Sequence, residues 1–228
     1  MELSKRLAAV AAMVQEKTIA DIGTDHGYLP IYLVKNKSAD RVIACDINKG
    51  PLTKAEENIS LAGLNSKIET RLAPGLDKIS PGEAECITIS GMGGMLIISI
   101  LENGKPTVKA AARLVLQPQK DIPRVRQYIA RIGFRIDNET MLTEDDRFYT
   151  VISAVPGSEP AYTESELMFG RRLIEKKDPC LKAYIEYRMS KLSKIMTAIE
   201  KDGTETAVNR LQNLKHEHKL CEEVYKWL

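Results

Sequence analysis

The segment IADIGTDHGYLPIYLV, Ile19 to Val34, decides the fold. An apolar run over 18–22 ends at Gly23, a short turn follows, and a helical pattern begins near Gly27. Strand, glycine turn and helix open a sheet whose ligands bind beyond the carboxyl ends of its strands. The usual G-x-G-x-x-G spacing of a nucleotide turn is absent, because Asp25 stands where a second glycine is expected.

The same alternation runs outward to about Pro156. Apolar runs at 18–22, 41–46, 67–72, 86–90, 113–117, 134–142 and 149–155 predict seven strands. Helical stretches at 27–36, 49–62, 94–103 and 121–131 fall between them. The first, second, fourth and fifth runs are almost continuously apolar, as in parallel strands covered on both faces. Strands alternating with helices predict a doubly wound α/β sheet. The last two runs are joined by a loop alone, so they predict an antiparallel hairpin at one edge. Asn48 is expected to cap the helix at 49–62, with Pro51 near its start and Gly63 as a stop, and Asp121 before Pro123 marks another helix entry. The opening eighteen residues read as an amphipathic first helix and not as a signal peptide.

VPGSEPAYTESE (155–166) marks a linker, and the strand pattern stops after it. The expected division is therefore 1–158 for the α/β domain and 159–228 for a helical one. Thr163 and Glu166 form a capping box, and Asp178-Pro179 opens a longer helix. Ile185, Met189, Leu192, Met196 and Ile199 recur at heptad spacing, as do Leu211, Leu214, His218, Cys221, Tyr225 and Leu228. Asp202-Gly203 between them predicts a turn, with Thr204 capping the next helix, and hence an antiparallel coiled-coil hairpin.

Composition narrows the class. Net charge is +2 over 228 residues, so a nucleic-acid partner needs a local basic patch. No run approaches the ~18 apolar residues of a membrane span. Cys45, Cys86, Cys180 and Cys221 are scattered without zinc spacing, which fits a metal-free protein of the reducing cytosol. The oligomeric state stays open, and a monomer suffices. In residues 171–194, eight cations (Arg171, Arg172, Lys176, Lys177, Lys182, Arg188, Lys191 and Lys194) face three carboxylates. That is a candidate phosphate-backbone contact, or a solvated helix face.

Asp46 lies 23 residues after Gly23, near the offset of a ribose-binding acid. A pyrophosphate prefers backbone N–H groups without a carboxylate beside them. Asp25 repels it and welcomes an ammonium group, so the charge favours S-adenosylmethionine over a dinucleotide. APGLDKI and SGMGGMLI, after the third and fourth strands, fall on the same rim. Gly91 and Met92 are assigned to the site and Met95 to the core. Gln117 and Tyr149 reach the rim if the strand order holds. Tyr149 is a candidate base-stacking residue and Arg147 a phosphate or base contact. His26 is read as capping the helix or packing on the cofactor more than as a base.

Taken together, SKRL, DIGTDHGYLPIYL, ACDIN, APGLD, SGMGGMLI, LQPQ and RFYTV resemble the bacterial tRNA (adenine-22-N1)-methyltransferases, the TrmK family, over the whole chain. The resemblance implies a Rossmann-like class I methyltransferase with a seven-stranded sheet. It implies S-adenosylmethionine as donor and N1 of a tRNA adenine as acceptor. The cofactor set it implies is Gly23, Thr24, Asp25, His26, Gly27, Asp46, Ile47, Ala73, Gly75, Leu76, Gly91, Met92 and Gly93. Tyr149, His26 and Tyr28 are the candidates beside the reacting base. No [DN]-P-P-[YF] motif is present and SGMG takes its place, so catalytic roles do not transfer from enzymes that carry it. An oxidoreductase using NAD, a methyltransferase for another substrate and a non-enzymatic RNA-binding protein are the competing readings.

Overall fold

The structure, a computed structural model, describes residues 2–199 and 205–228, with the backbone alone for 205–207. It divides into two compact units, 1–160 and 161–228.

The first unit contains α1 (Lys5–Met13), β1 (Thr18–Ile22), α2 (Tyr28–Lys35), β2 (Arg41–Asp46), α3 (Lys49–Leu61), β3 (Ile68–Leu72) and β4 (Cys86–Met92). It continues with α4 (Gly94–Asn103), α5 (Lys105–Ala110), β5 (Arg113–Pro118), α6 (Ile122–Arg131), β6 (Phe134–Glu144) and β7 (Arg147–Pro156). The seven strands form one sheet in the order β3-β2-β1-β4-β5-β7-β6. β1 to β5 pair in parallel, whereas β7 runs antiparallel to both β5 and β6. This is a Rossmann-like sheet in which one strand, β7, runs against the rest.

The apolar strands are buried because helices cover both faces. Ile19, Val42, Ile87 and Leu114 are at most 1% exposed, each worth about 1.5–3 kcal/mol of burial. Val10 and Met13 of α1 join Leu29, Ile31 and Leu33 of α2 in one apolar cluster. The β3 edge carries charge instead: Arg71 bonds Glu69 and Glu83, and Arg41 bonds Glu69, which guards an open strand against pairing. Two buried arginines fasten the other side. Arg126 of α6 donates to Glu139 of β6 at 2.7 Å, both sealed from solvent. Arg113 of β5 donates to Glu16 and Asp137 at 2.8 and 2.7 Å, tying the segment after α1 to the sheet.

One expected cap does not form: Asn48 stands at the N-cap of α3 but its side chain makes no cap bond, and its main-chain N–H donates to Asp46 Oδ1. Asp121 stands at the entry of α6 as expected, with a left-handed backbone, φ 57°, and no side-chain cap bond. α5, after Gly104, carries no signal long enough to predict.

The second unit contains α7 (Glu164–Phe169), α8 (Arg171–Glu175), α9 (Pro179–Ile199) and α10 (Glu205–Tyr225). Thr163 and Glu166 form the expected capping box. Asp178 Oδ1 accepts from the N–H groups of Cys180 and Leu181 at the start of α9. α9 and α10 pack together, and Glu186 meets Tyr225 while Ser193 meets His218. As the number rises on α9 it falls on α10, so the two helices are antiparallel. The Asp202-Gly203 turn and the Thr204 cap lie outside the described residues. Ile185, Leu192 and Cys221 of the heptad seams are buried as expected. Leu220 and Val224, outside the seams, are buried as well, and α7 also packs against α10.

Candidate active site

The carboxyl ends of β1 to β4 open into a cleft of about 740 Å³. Its floor is the turn after β1. The Gly23 and Thr24 N–H groups both donate to the Cys45 carbonyl, at 2.8 and 2.9 Å, which binds the turn to β2. Gly23 has φ 75°, and a Cβ there would overlap the Met92 side chain at 2.2 Å. The positive φ is what calls for glycine; the Met92 contact is with the flexible tip of that side chain. Asp46 ends β2 and is 8% exposed. Its two oxygens accept from the Asp25 and Asn48 N–H groups, at 3.2 and 2.8 Å, so one carboxylate holds two turns at the cleft.

Asp21 is the residue that the sequence reading missed. It lines the cleft, is 3% exposed and accepts from the Thr88 hydroxyl at 2.7 Å. Burial pushes its carboxyl pKa above the usual range, and the threonines oppose this only in part. The Thr24 hydroxyl lies near the same carboxylate without reaching hydrogen-bond geometry. Among the described residues Asp21 has no cationic partner. The available signal was a carboxylate inside the apolar run IADI, immediately ahead of the glycine turn.

Asp25 is placed differently from the charge argument built on it. Its backbone is left-handed, φ 53°, and its side chain is 68% exposed at the mouth. His26 Nε2 lies 3.7 Å from it, and the His26 ring tilts against Tyr28 with centroids 5.6 Å apart. Both His26 and Tyr28 line the cleft. The helix-capping reading of His26 fails, because Gly27 occupies the N-cap of α2 without a side-chain cap. His26 Nδ1 is buried without a partner.

Thr24, Ile47, Ala73, Gly75, Leu76, Gly91 and Met92 also line the cleft. Two expected residues do not. A Cβ on Gly27 would meet Ala55 of α3 at 3.2 Å, and one on Gly93 would meet Lys120 at 3.1 Å. Both glycines serve packing around the turns and not the cleft wall. Met95, expected in the core, is 48% exposed beside Arg124. Gln117 is buried beneath the rim and accepts from the Gly91 N–H at 3.0 Å. Tyr149 lies near the start of β7, opposite Leu142, and Arg147 opposite Glu144; neither lines the cleft. Arg6, Asp77 and Gln119, within the SKRL, APGLD and LQPQ stretches but not singled out there, do line it, as do Ser99 and Asn103.

Of the basic residues in the second unit, three arginines are already engaged. Arg171 is 9% exposed, donates to Glu166 and the Ala161 carbonyl, and lies over the Tyr162 ring. Arg188 is paired with Glu217 and Arg172 with Glu175. Burial makes Arg171 part of the helical scaffold, whereas Arg172 and Arg188 are half-buried beside their carboxylates. Lys176, Lys177, Lys182, Lys191 and Lys194 are exposed.

Asp21 without a cation, Thr24 Oγ1 without a partner and His26 Nδ1 without a partner share one cleft. Buried polar groups left unsatisfied together point to a bound ligand. A ligand with a cationic amino-acid end, a ribose and an uncharged base fits this donor set, and a pyrophosphate does not. Among the described residues no cluster of three or more His, Cys, Asp or Glu stands ready for a metal. None of the described helices is long and apolar enough to cross a membrane.

Fold and site together define a Rossmann-like methyltransferase. The family model "TrmK: tRNA (adenine(22)-N(1))-methyltransferase" matches residues 19–223. The chain is similar to the Bacillus subtilis tRNA (adenine(22)-N(1))-methyltransferase, 41% identical over 162 residues, covering 71% of this chain and 68% of that one. Among solved structures it resembles Streptococcus pneumoniae Sp1610 in complex with S-adenosyl-L-methionine, with a TM-score of 0.87 and 32% identity over 98% of this chain and 100% of the other. It also resembles M. capricolum TrmK in complex with S-adenosyl-homocysteine, with a TM-score of 0.85 and 28% identity over 100% and 99%. The chain belongs to the TrmK family, which removes the oxidoreductase reading.

Proposed function

We propose that the protein transfers a methyl group from S-adenosylmethionine to N1 of adenine 22 of tRNA, in the cytoplasm. The observation that carries this is the family match over residues 19–223, which spans the whole cleft-bearing turn series from β1 to β4. The α/β domain, 1–158, does the chemistry, and the helical domain, 159–228, helps to hold the RNA.

The bound cofactor would supply a sulfonium-activated methyl group. Asp46 would hold its ribose hydroxyls, Asp21 and Asp25 its cationic end, and Ile47, Leu76 and Met92 its apolar surfaces. Adenine N1 attacks with its own lone pair and becomes cationic, so no protein base is required at the attacking atom. The protein's share is alignment and electrostatics. N1 lies on the Watson–Crick edge, so the adenine must first leave any pair or stack, at a cost of a few kcal/mol. Tyr28, with His26 behind it, offers the displaced base a ring at the cleft. Tyr149 and Arg147 would act only on parts of the RNA that extend past the cleft. The exposed Lys176, Lys177, Lys182, Lys191 and Lys194 supply non-specific phosphate attraction. The test is incubation with labelled S-adenosylmethionine and total tRNA, followed by nucleoside analysis. Label in 1-methyladenosine supports the reading; label in another nucleoside, or none, ends it.

A further inference from the structure

The two walls of the cleft carry opposite charge. All four carboxylates that line it come from the β1–β3 side: Asp21 and Asp46 from the ends of β1 and β2, Asp25 and Asp77 from the turns after β1 and β3. The wall after β4 and β5 has no carboxylate among its lining residues: Ser90, Gly91, Met92 and Gln119 line it, with Arg6 of α1 laid across them.

Arg6 is held in a defined position. Its Nη1 donates to Gln117 Oε1 at 3.1 Å. Gln117 is fully buried, and the same oxygen accepts from the Gly91 N–H at 3.0 Å while Nε2 donates to the Pro118 carbonyl at 3.2 Å. A side chain satisfied at both ends cannot turn away, so it fixes the guanidinium. Arg6 Nη1 would lie 3.4 Å from a Cβ on Gly91, whose φ is 78°. The helix that carries it is anchored too, by the Ser4 cap and by the Lys5 N–H donating to Glu144. Among the described residues Arg6 has no ion pair, and Gln117 is its sole side-chain partner. Of the five guanidinium N–H donors, one is in use.

A preorganised guanidinium beside a carboxylate-free wall matches a phosphate, which it can grip with two parallel bonds. A nucleotide swung out of its stack brings its own phosphate to the mouth of the pocket that takes its base. We propose that Arg6 grips the backbone phosphate of the nucleotide whose base enters the cleft, which makes the β4–β5 wall the substrate half and the acidic wall the cofactor half. This rests on tRNA being the substrate. Arg6 is a positioning residue: the phosphate contact sets where the base stops.

The experiment compares wild type, Arg6→Gln and Arg6→Lys by steady-state methylation of tRNA and by tRNA affinity across salt concentrations. Arg6→Gln should lower kcat/KM for tRNA by about tenfold to a hundredfold, the worth of a charge-assisted contact. Its plot of log affinity against log salt should be shallower by about one unit of slope. S-adenosylmethionine affinity and melting temperature should match wild type. Arg6→Lys should keep the salt slope but not the full kcat/KM, because it keeps the charge and loses the fork. An unchanged salt slope in Arg6→Gln overturns the inference. So does a parallel loss of S-adenosylmethionine affinity, which would mean that Arg6 acts only by bracing the Gly91 turn. If wild type itself leaves tRNA unmethylated, the substrate reading falls and the inference with it. If wild type methylates and Arg6→Gln does so equally well, the inference alone falls.

Discussion

In the α/β unit four key charges are out of water: Asp21, Asp46, Arg126 and Glu139 are each 8% exposed or less. In the basic segment of the helical unit three arginines are tied to carboxylates while five lysines stand in solvent. A buried charge is held to one geometry and is costly to leave alone. An exposed lysine is interchangeable with its neighbours. The first suits recognition of one small molecule, and the second suits a long polyanion met at many points. Substitutions should therefore separate the units by both size and kind of effect.

The largest effect is expected at the Arg126–Glu139 pair. Glu139→Ala removes the carboxylate partner of a buried guanidinium, at a cost of about 3–5 kcal/mol in unfolding free energy by denaturant titration. A loss below about 1 kcal/mol would show that water reaches the pair and that the contrast in burial is overstated.

Next is Asp21. Its folded pKa is raised by burial, so the folded state binds the proton more tightly than the unfolded one. Its contribution to stability therefore grows as pH falls through the window between the ordinary and the raised pKa. Cofactor affinity should move the opposite way, because a protonated Asp21 cannot pair with a cation. Asp21→Asn should cost about tenfold in S-adenosylmethionine affinity and flatten its acid-side pH dependence, as read by calorimetry at several pH values. The same pH dependence in the variant would remove Asp21 from the cofactor wall.

Glu166 is the counterpart in the helical unit. Its Arg171 partner lowers its pKa to about 2. The pair's stabilisation is present above the ordinary carboxylate pKa and fades as pH falls toward 2. Glu166→Gln should remove that acid-side loss from circular-dichroism melts, at a cost of about 1 kcal/mol at neutral pH. Smallest are the exposed lysines. Replacing Lys177, Lys191 or Lys194 singly by Ala should change stability by less than about 0.5 kcal/mol. Replacing all three by Glu should weaken tRNA binding and leave cofactor affinity intact. Full tRNA affinity in the triple variant would make that face mere solvated surface.

The fold was legible because its signals are local. Apolar runs, four of them almost continuous, placed all seven strands, and the Thr163–Glu166 box and Asp178-Pro179 placed two helix starts. What escaped depended on packing. Asn48 has capping chemistry and stands at the N-cap of α3, yet its side chain makes no cap bond. Gly27 and Gly93 sit within ligand-turn motifs and yet face Ala55 and Lys120. At the site, spacing along the chain found Asp46, Gly23, Gly91 and Met92. Asp25 drew attention as the break in a known pattern, while the buried carboxylate proved to be Asp21, two residues before that turn's glycine. Arg6 comes to the cleft from α1, and no spacing rule connects it with Gln117, 111 residues away.

The acidic wall as the cofactor half is tested most directly by calorimetric titration of S-adenosylmethionine into wild type and Asp46→Ala. Binding by wild type is expected, with no measurable binding to the variant and cooperative unfolding retained in both. Equal affinity in the two would contradict the assignment of that wall to the cofactor.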